Sequence, residues 1–242
     1  MQLELSLSRP THVHPSPRVL QVAAMFGLGV DESKQLQIIA PTTLELRGRS
    51  IVFITGPSGG GKSSLLALIA AAAQSHPEEA SVISFGSLPA LPDLPLVDAL
   101  AQPDDGDDIN PALRLLSIVG LADAFVMLRK PSELSEGQRY RLQLAHALAL
   151  AQQCAAPLFI ILADEFGATL DRITAKVIAR QLRKWISRSP VPICFIAATT
   201  HDDLLEPLEP DVLIEKGLGT AMEVVDRRLC ESASMKAQVQ PC

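Results

Sequence analysis

Continuous apolar runs alternate with Ala- and Leu-rich helical stretches along most of this chain. Ile51-Val52-Phe53-Ile54-Thr55 has no polar interruption, and such a run predicts a strand covered on both faces. Leu158–Leu162 and Val191–Ala197 read the same way, and Val212–Ile214 reads as a last short strand. Thr43-Leu44-Glu45-Leu46 alternates instead, which predicts a strand with one wet face, and Arg47-Gly48-Arg49 predicts the turn after it. Helices are predicted over Lys62–Gln74, Gln138–Gln153 and Arg172–Ser187, and Val82–Phe85 is a further candidate strand. Strands interleaved with helices predict an α/β fold with a parallel-rich, helix-covered sheet and an antiparallel N-terminal edge.

Two stretches break the pattern. Residues 1–17 carry Pro10, Pro15 and Pro17 among polar groups and read as a flexible arm. Residues 87–111 hold five prolines and the run Asp104-Asp105-Gly106-Asp107-Asp108, which reads as solvated loop because it lacks the spacing of a calcium-binding loop. Ala112–Val119 and Leu121–Leu128 predict two short helices, so a small helical insertion is placed at about 87–135. Residues 18–227 then form one domain, with 228–242 as a flexible tail.

Composition narrows the class. The chain has 242 residues, 48% of them hydrophobic but only 4% aromatic, so its core is built from Ala, Leu, Ile and Val. No apolar run approaches the roughly 20 residues that cross a bilayer. The four cysteines (Cys154, Cys194, Cys230 and Cys242) form no CxxC pair and read as thiols of a reducing, cytoplasmic compartment. A formal net charge of −6 argues against a general coat for nucleic acid.

The chemistry begins at Gly56-Pro57-Ser58-Gly59-Gly60-Gly61-Lys62-Ser63, which fits GxxxxGK[ST] between a predicted strand and a predicted helix. A glycine-rich loop turns its amides inward around phosphate, and the helix behind it, starting with Lys62, Ser63 and Ser64, directs its positive end there. Lys62 is placed for the β- and γ-phosphates of a nucleotide and Ser63 for Mg²⁺. The strand ending in Asp164-Glu165 supplies a second metal ligand in Asp164 and, in Glu165, a base able to take a proton from water.

Between these two lies Leu134-Ser135-Glu136-Gly137-Gln138, at the start of a predicted helix. It resembles the LSGGQ-type signature of ATP-binding cassette (ABC) ATPases, with Glu136 replacing one glycine. Ala168-Thr169-Leu170-Asp171 resembles that family's D-loop, and Thr199-Thr200-His201-Asp202 its switch region. Taken over residues 18–216, the order of five motifs is that of the family. The resemblance implies that the chain is a P-loop ABC ATPase binding ATP and Mg²⁺. It also implies a head-to-tail homodimer in which Ser135, Gly137 and Gln138 meet the γ-phosphate held by the other copy. Asp171 would cross that interface, and Lys62, Glu165 and His201 would act in hydrolysis. Phe166, standing where the family has proline, and the Thr-Leu-Asp D-loop resemble stand-alone bacterial ABC-type ATPases, some associated with acetyltransferase-like domains.

Departures matter too. The Q-loop glutamine falls on Ser87 by alignment through Pro89-Ala90-Leu91-Pro92, or on Gln102 by counting from the P-loop. Phe26 stands either as the adenine-stacking aromatic or as a core residue. Arg172, Lys176, Arg180, Lys184 and Arg188 recur every four residues with no acid between them, forming either a solvated face or a surface that tracks DNA or RNA phosphates. The degenerate Q-loop, the basic stripe and the lack of a membrane span favour a regulatory or nucleic-acid-linked ATPase. The alternative is the ATP-binding subunit of a membrane transporter, reaching the membrane through a separate partner.

Overall fold

The structure, a computed structural model, describes residues 1–11, 14, 16–27, 34–102 and 106–228. Strands β1 (Gln2–Thr11) and β2 (Lys34–Glu45) form an antiparallel pair. Between them in the chain lies helix α1 (Pro17–Met25), started by Pro17 at its first position and by Ser16, whose hydroxyl accepts the amide of Val19 at 3.3 Å. Then come β3 (Ser50–Thr55), α2 (Lys62–Gln74) and β4 (Ser81–Ser84). The insertion contributes α3 (Leu96–Ala99), α4 (Asn110–Ile118) and α5 (Ala124–Met127). The remaining elements are α6 (Glu136–Gln153), β5 (Phe159–Ala163), α7 (Arg172–Arg188), β6 (Ile193–Ala198), α8 (Leu205–Leu208), β7 (Val212–Lys216) and β8 (Met222–Asp226).

The main sheet runs β4-β5-β6-β3-β7-β8, parallel except for the final antiparallel strand. Side chains on a strand alternate between faces, so each buried run feeds two cores. Ile51 and Phe53 join Phe159, Ile161, Phe195 and Ala197 against α4, α6 and α7. Val52 and Ile54 join Ile160, Leu162, Cys194 and Ile196 against α2 and the β1–β2 pair. This explains why the runs carry no polar residue on either face.

Parallel strands deliver their C-terminal ends to one edge, and in such sheets ligands bind in the crevice there. The glycine loop follows β3, Asp164 and Glu165 follow β5, and Thr199 follows β6. The Thr199 amide donates to Ile54 O at 3.0 Å, which binds the last loop to the base of the first.

The N-terminus corrects the expectation of a flexible arm at 1–17. Leu3, Leu5 and Leu7 alternate with polar residues, and Leu3 and Leu5 are buried in the core that also holds α2. Pro10 lies within the last residues of β1 and Pro17 begins α1, while Pro15 lies outside the described residues. The expected tail lies, from residue 229 on, outside the described residues, as do Asp104 and Asp105 of the acidic run.

Candidate functional site

At the strand edge opens a cavity of ≈ 480 Å³ lined by Ser58, Gly59, Gly61, Lys62, Ser63, Ser64, Asp164, Glu165, Ala168, Ala198, Thr199 and Thr200. The glycine loop forms one wall. Gly56, Gly59 and Gly61 hold φ values of 136°, 76° and 95°, a region that L side chains rarely enter. At Gly56 a Cβ would stand 2.0 Å from Lys216 O, and at Gly60 2.9 Å from the same oxygen. The loop is therefore a bare-backbone cradle pressed against the end of β7. Lys62 Nζ donates to Gly56 O (2.8 Å) and Pro57 O (2.9 Å), folding its cation over the loop that it follows.

Asp164 and Glu165 form the facing wall. Asp164 Oδ1 accepts the Glu165 amide at 3.0 Å, and Glu165 has a φ of 50°. The Phe166 amide donates to Ala198 O at 2.9 Å, and the Phe166 ring is buried. The turn after β5 is thereby anchored to β6 while its two carboxylates stay at the cavity. Ser63 and Asp164 share this cavity and offer the hydroxyl and carboxylate oxygens that Mg²⁺ prefers, so the residues fit MgATP.

The other sequence-predicted residues lie around this centre. His201 is half-buried one residue beyond the cavity lining, its amide donating to Thr199 Oγ1 at 3.2 Å. Next to it, Asp202 accepts a hydrogen bond from Thr55 Oγ1, linking this loop to the end of β3. Ser135 and Gln138 cap α6 reciprocally: the Ser135 amide donates to Gln138 Oε1 at 3.0 Å, and the Gln138 amide to Ser135 Oγ at 3.3 Å. Gly137 packs toward Leu170 and Thr169. Asp171 caps α7 through the Thr174 amide at 2.9 Å, and hydrogen bonds from Thr174 hold its carboxyl below the usual range. None of Ser135, Gly137, Gln138 or Asp171 lines the cavity.

Phe26 is 74% exposed, so it does not pack in the core, and it is not among the cavity-lining residues. Neither Q-loop candidate reaches the cavity. Ser87 is turned back on Ser84, its Oγ accepting the Ser84 amide and donating to Ser84 O, both at 3.1 Å. Gln102 donates to Leu100 O at 2.9 Å and contacts Gln153 at the far end of α6.

The basic stripe of α7 is corrected by its neighbours. Arg172 and Lys176 both pair with Asp203, Arg180 pairs with Glu206 at 3.7 Å, and the adjacent Arg183 pairs with Asp211 at 2.8 Å. The acids come from the segment between β6 and β7, which packs along α7, and so are invisible within the helix's own sequence. This partial neutralisation removes the main support for a nucleic-acid surface.

Sequence reasoning missed Lys216. It is fully buried, with Nζ donating to Gly217 O (2.9 Å) and Gly219 O (2.6 Å) in the turn before β8, and burial pushes its pKa down. No motif marks it. Only its packing against the glycine loop gives it a place in the site.

Comparison with known proteins decides the family. The sequence model described as ABC transporter matches residues 39–165, more than half of the chain. This chain belongs to the ABC transporter family. ABC cassettes hydrolyse ATP with Mg²⁺, and the cavity described above carries their phosphate-binding loop. A probable sulfate/thiosulfate import ATP-binding protein CysA of Chlorella vulgaris is 29% identical over 222 residues, covering 78% of this chain and 88% of that protein. The lipoprotein-releasing system ATP-binding protein LolD of Rhodopseudomonas palustris is 26% identical, covering 78% and 89%. The chain spans a smaller share of other CysA relatives, 66% of that from Pectobacterium atrosepticum and 62% of that from Thermosynechococcus vestitus. A bacterial ABC transporter cassette solved as a dimer superposes with a TM-score of 0.59 at 18% identity, covering 92% of this chain and 98% of that one. The ABC fold is therefore shared across nearly the whole chain. No helix among the described residues is long and apolar enough to cross a membrane.

Proposed function

We propose that this chain is the ATP-hydrolysing subunit of a membrane transporter, working as a head-to-tail pair that closes around two ATP molecules. The observation that carries the transporter reading is the set of curated relatives, which match over three-quarters of this chain and are named for sulfate/thiosulfate import and lipoprotein release. The helical insertion supports it as well. Phe125 and Leu128, on and just after α5, are 80% and 68% exposed, an apolar surface suited to a protein partner. The geometry supports the paired site, because the cavity holds the phosphate loop and the two acids while the capped end of α6 lies outside it.

In this reading the loop amides and Lys62 hold the β- and γ-phosphates, and Ser63 and Asp164 hold Mg²⁺, which offsets their charge. Ser135, Gly137 and Gln138 complete the site of the opposite copy, and Asp171 lies at the boundary between copies. Phe26 is the residue proposed to stack on adenine. Glu165 polarises the attacking water and His201 orients it. Glu165→Gln keeps the shape and removes the base, so turnover falls about a hundredfold or more while ATP still binds. Phosphate release measured beside ATP binding checks this, and full turnover in the variant would take Glu165 out of that role.

A second reading, a stand-alone regulatory ATPase, keeps one observation in its favour: neither Ser87 nor Gln102 supplies the glutamine that transporter cassettes place at the cavity. Purification from native membranes separates the two. A polytopic membrane protein recovered with the chain, and released by Phe125→Asp, supports the transporter subunit. Recovery of the chain without such a partner supports the switch.

A further inference from the structure

Two features of the site stand unexplained by the motifs. The first is how the turn from Asp164 to Asp171 is held, since Glu165 and Gly167 take φ values of 50° and 73°. Within the turn the Ala168 amide donates to Glu165 O (2.9 Å) and the Leu170 amide to Gly167 O (3.3 Å). The Gly167 amide reaches outside it, donating at 3.0 Å to the phenol oxygen of Tyr140 on α6. The second is the missing Q-loop glutamine, because Ser87 and Gln102 are both engaged elsewhere.

Tyr140 contacts both regions. Its ring packs edge-on against Phe85 at 5.5 Å, just past β4 where the chain leaves for the helical insertion. It also packs against Phe166, ring centroids 6.5 Å apart, and Phe166 packs against Phe195 of β6 at 5.5 Å. Tyr140 is also five residues beyond Ser135 on the same helix, and Gly137 packs against the D-loop residues Thr169 and Leu170. One side chain thus touches the entry to the insertion, belongs to the signature helix, and hydrogen-bonds the turn that carries Glu165. Burial raises its pKa, so the phenol stays neutral and acts by hydrogen bonding and packing.

We propose that Tyr140 is a positioning residue that couples the signature helix to the Glu165 turn, setting the carboxylate when the start of α6 is engaged by the opposite copy's nucleotide. It takes over part of the coupling for which the Q-loop here has no glutamine. The proposal rests on the reading of Glu165 as the base and of α6 as the half-site for the opposite copy. Phe166, in the position where the family resemblance has proline, supplies the second ring that the arrangement needs.

Tyr140→Phe tests it by deleting one oxygen and keeping the ring. Hydrolysis is measured against MgATP concentration for wild type, Tyr140→Phe and Glu165→Gln, with thermal midpoints alongside. The proposal predicts that kcat falls about fivefold to tenfold, the scale of one neutral hydrogen bond, while KM stays within about twofold and the midpoint shifts by only a few degrees. An unchanged kcat would overturn it. So would a joint collapse of kcat, KM and midpoint, the mark of a purely structural residue. Tyr140 is the only tyrosine in the chain, so tyrosine labelled at its ζ carbon gives one NMR signal. That signal moves when MgATP is added to Glu165→Gln protein, and a static signal while MgATP binds would overturn the coupling. Wild-type protein that binds MgATP without turning it over removes the catalytic reading and the proposal with it. Normal wild-type turnover with an unchanged Tyr140→Phe removes the proposal alone.

Discussion

At Gly56 the chain turns with φ 136°, and a methyl group there would meet the carbonyl oxygen of Lys216 at 2.0 Å. Neither the backbone conformation nor the neighbour leaves room for alanine, since Lys216 is itself buried and held by the turn before β8. Gly56→Ala is therefore expected to weaken MgATP binding by about tenfold or more and to destabilise the fold by on the order of 1–3 kcal/mol. Calorimetric titration and denaturant unfolding check both halves. Binding at wild-type affinity would mean that the loop reshapes at no cost. The glycines and Lys62 were legible in the sequence because phosphate recognition demands them at fixed spacing. The contacts of Tyr140 and Lys216 were not, because their partners are ones that only the fold brings near: Gly167 in the first case, the glycine loop in the second.

Elements show the same division. The parallel strands of the main sheet and its long helices are written in local pattern and follow the runs closely, but the antiparallel edge strand β8 was missed, since Val212–Ile214 reads as the last strand. Strand β1 was hidden by Pro10, Pro15 and Pro17, although the alternation of Leu3, Leu5 and Leu7 was present. Its burial predicts that Leu5→Ala costs about 2–5 kcal/mol in denaturant unfolding, whereas a loose arm would show no change. Helix α7 shows no acid within its own basic stripe because its counter-ions lie at Asp203, Glu206 and Asp211. Asp211 is the most buried of these. It accepts the Ile51 amide at 2.8 Å and binds Arg183 and Arg228, joining β3, α7 and the residues after β8. Burial raises its pKa, but the two guanidinium groups and the amide outweigh burial and hold it below its ordinary value of 3.8. The sign follows from the unfolded chain taking up the proton first. The stabilisation is present above the ordinary value and is lost as pH falls through the lower folded one. Asp211→Asn is expected to lose about 3–5 kcal/mol at neutral pH and to flatten the acid limb of the stability profile. Urea unfolding across pH 2–7, a range set by carboxylate titration, measures this, and a steep acid limb retained in the variant would assign it to other carboxylates.

For the whole molecule, the parallel sheet brings the phosphate loop, the acidic turn and Thr199 to one edge, and leaves the signature cap outside the cavity so formed. In the proposed reading each cassette holds half of each site, and its chemistry depends on a second copy. The motif order made the family legible from the sequence, while support for a transporter subunit over a free-standing switch comes from relatives, and the neutralising ion pairs of α7 come from acids that no local pattern displays. The central claim is that MgATP closes two copies into one hydrolytic unit. Sedimentation of Glu165→Gln protein with saturating MgATP tests it most directly. The account predicts a shift from the 25.9 kDa chain to twice that mass, reversed when the nucleotide is removed. A species that stays at the single-chain mass with nucleotide bound would contradict it.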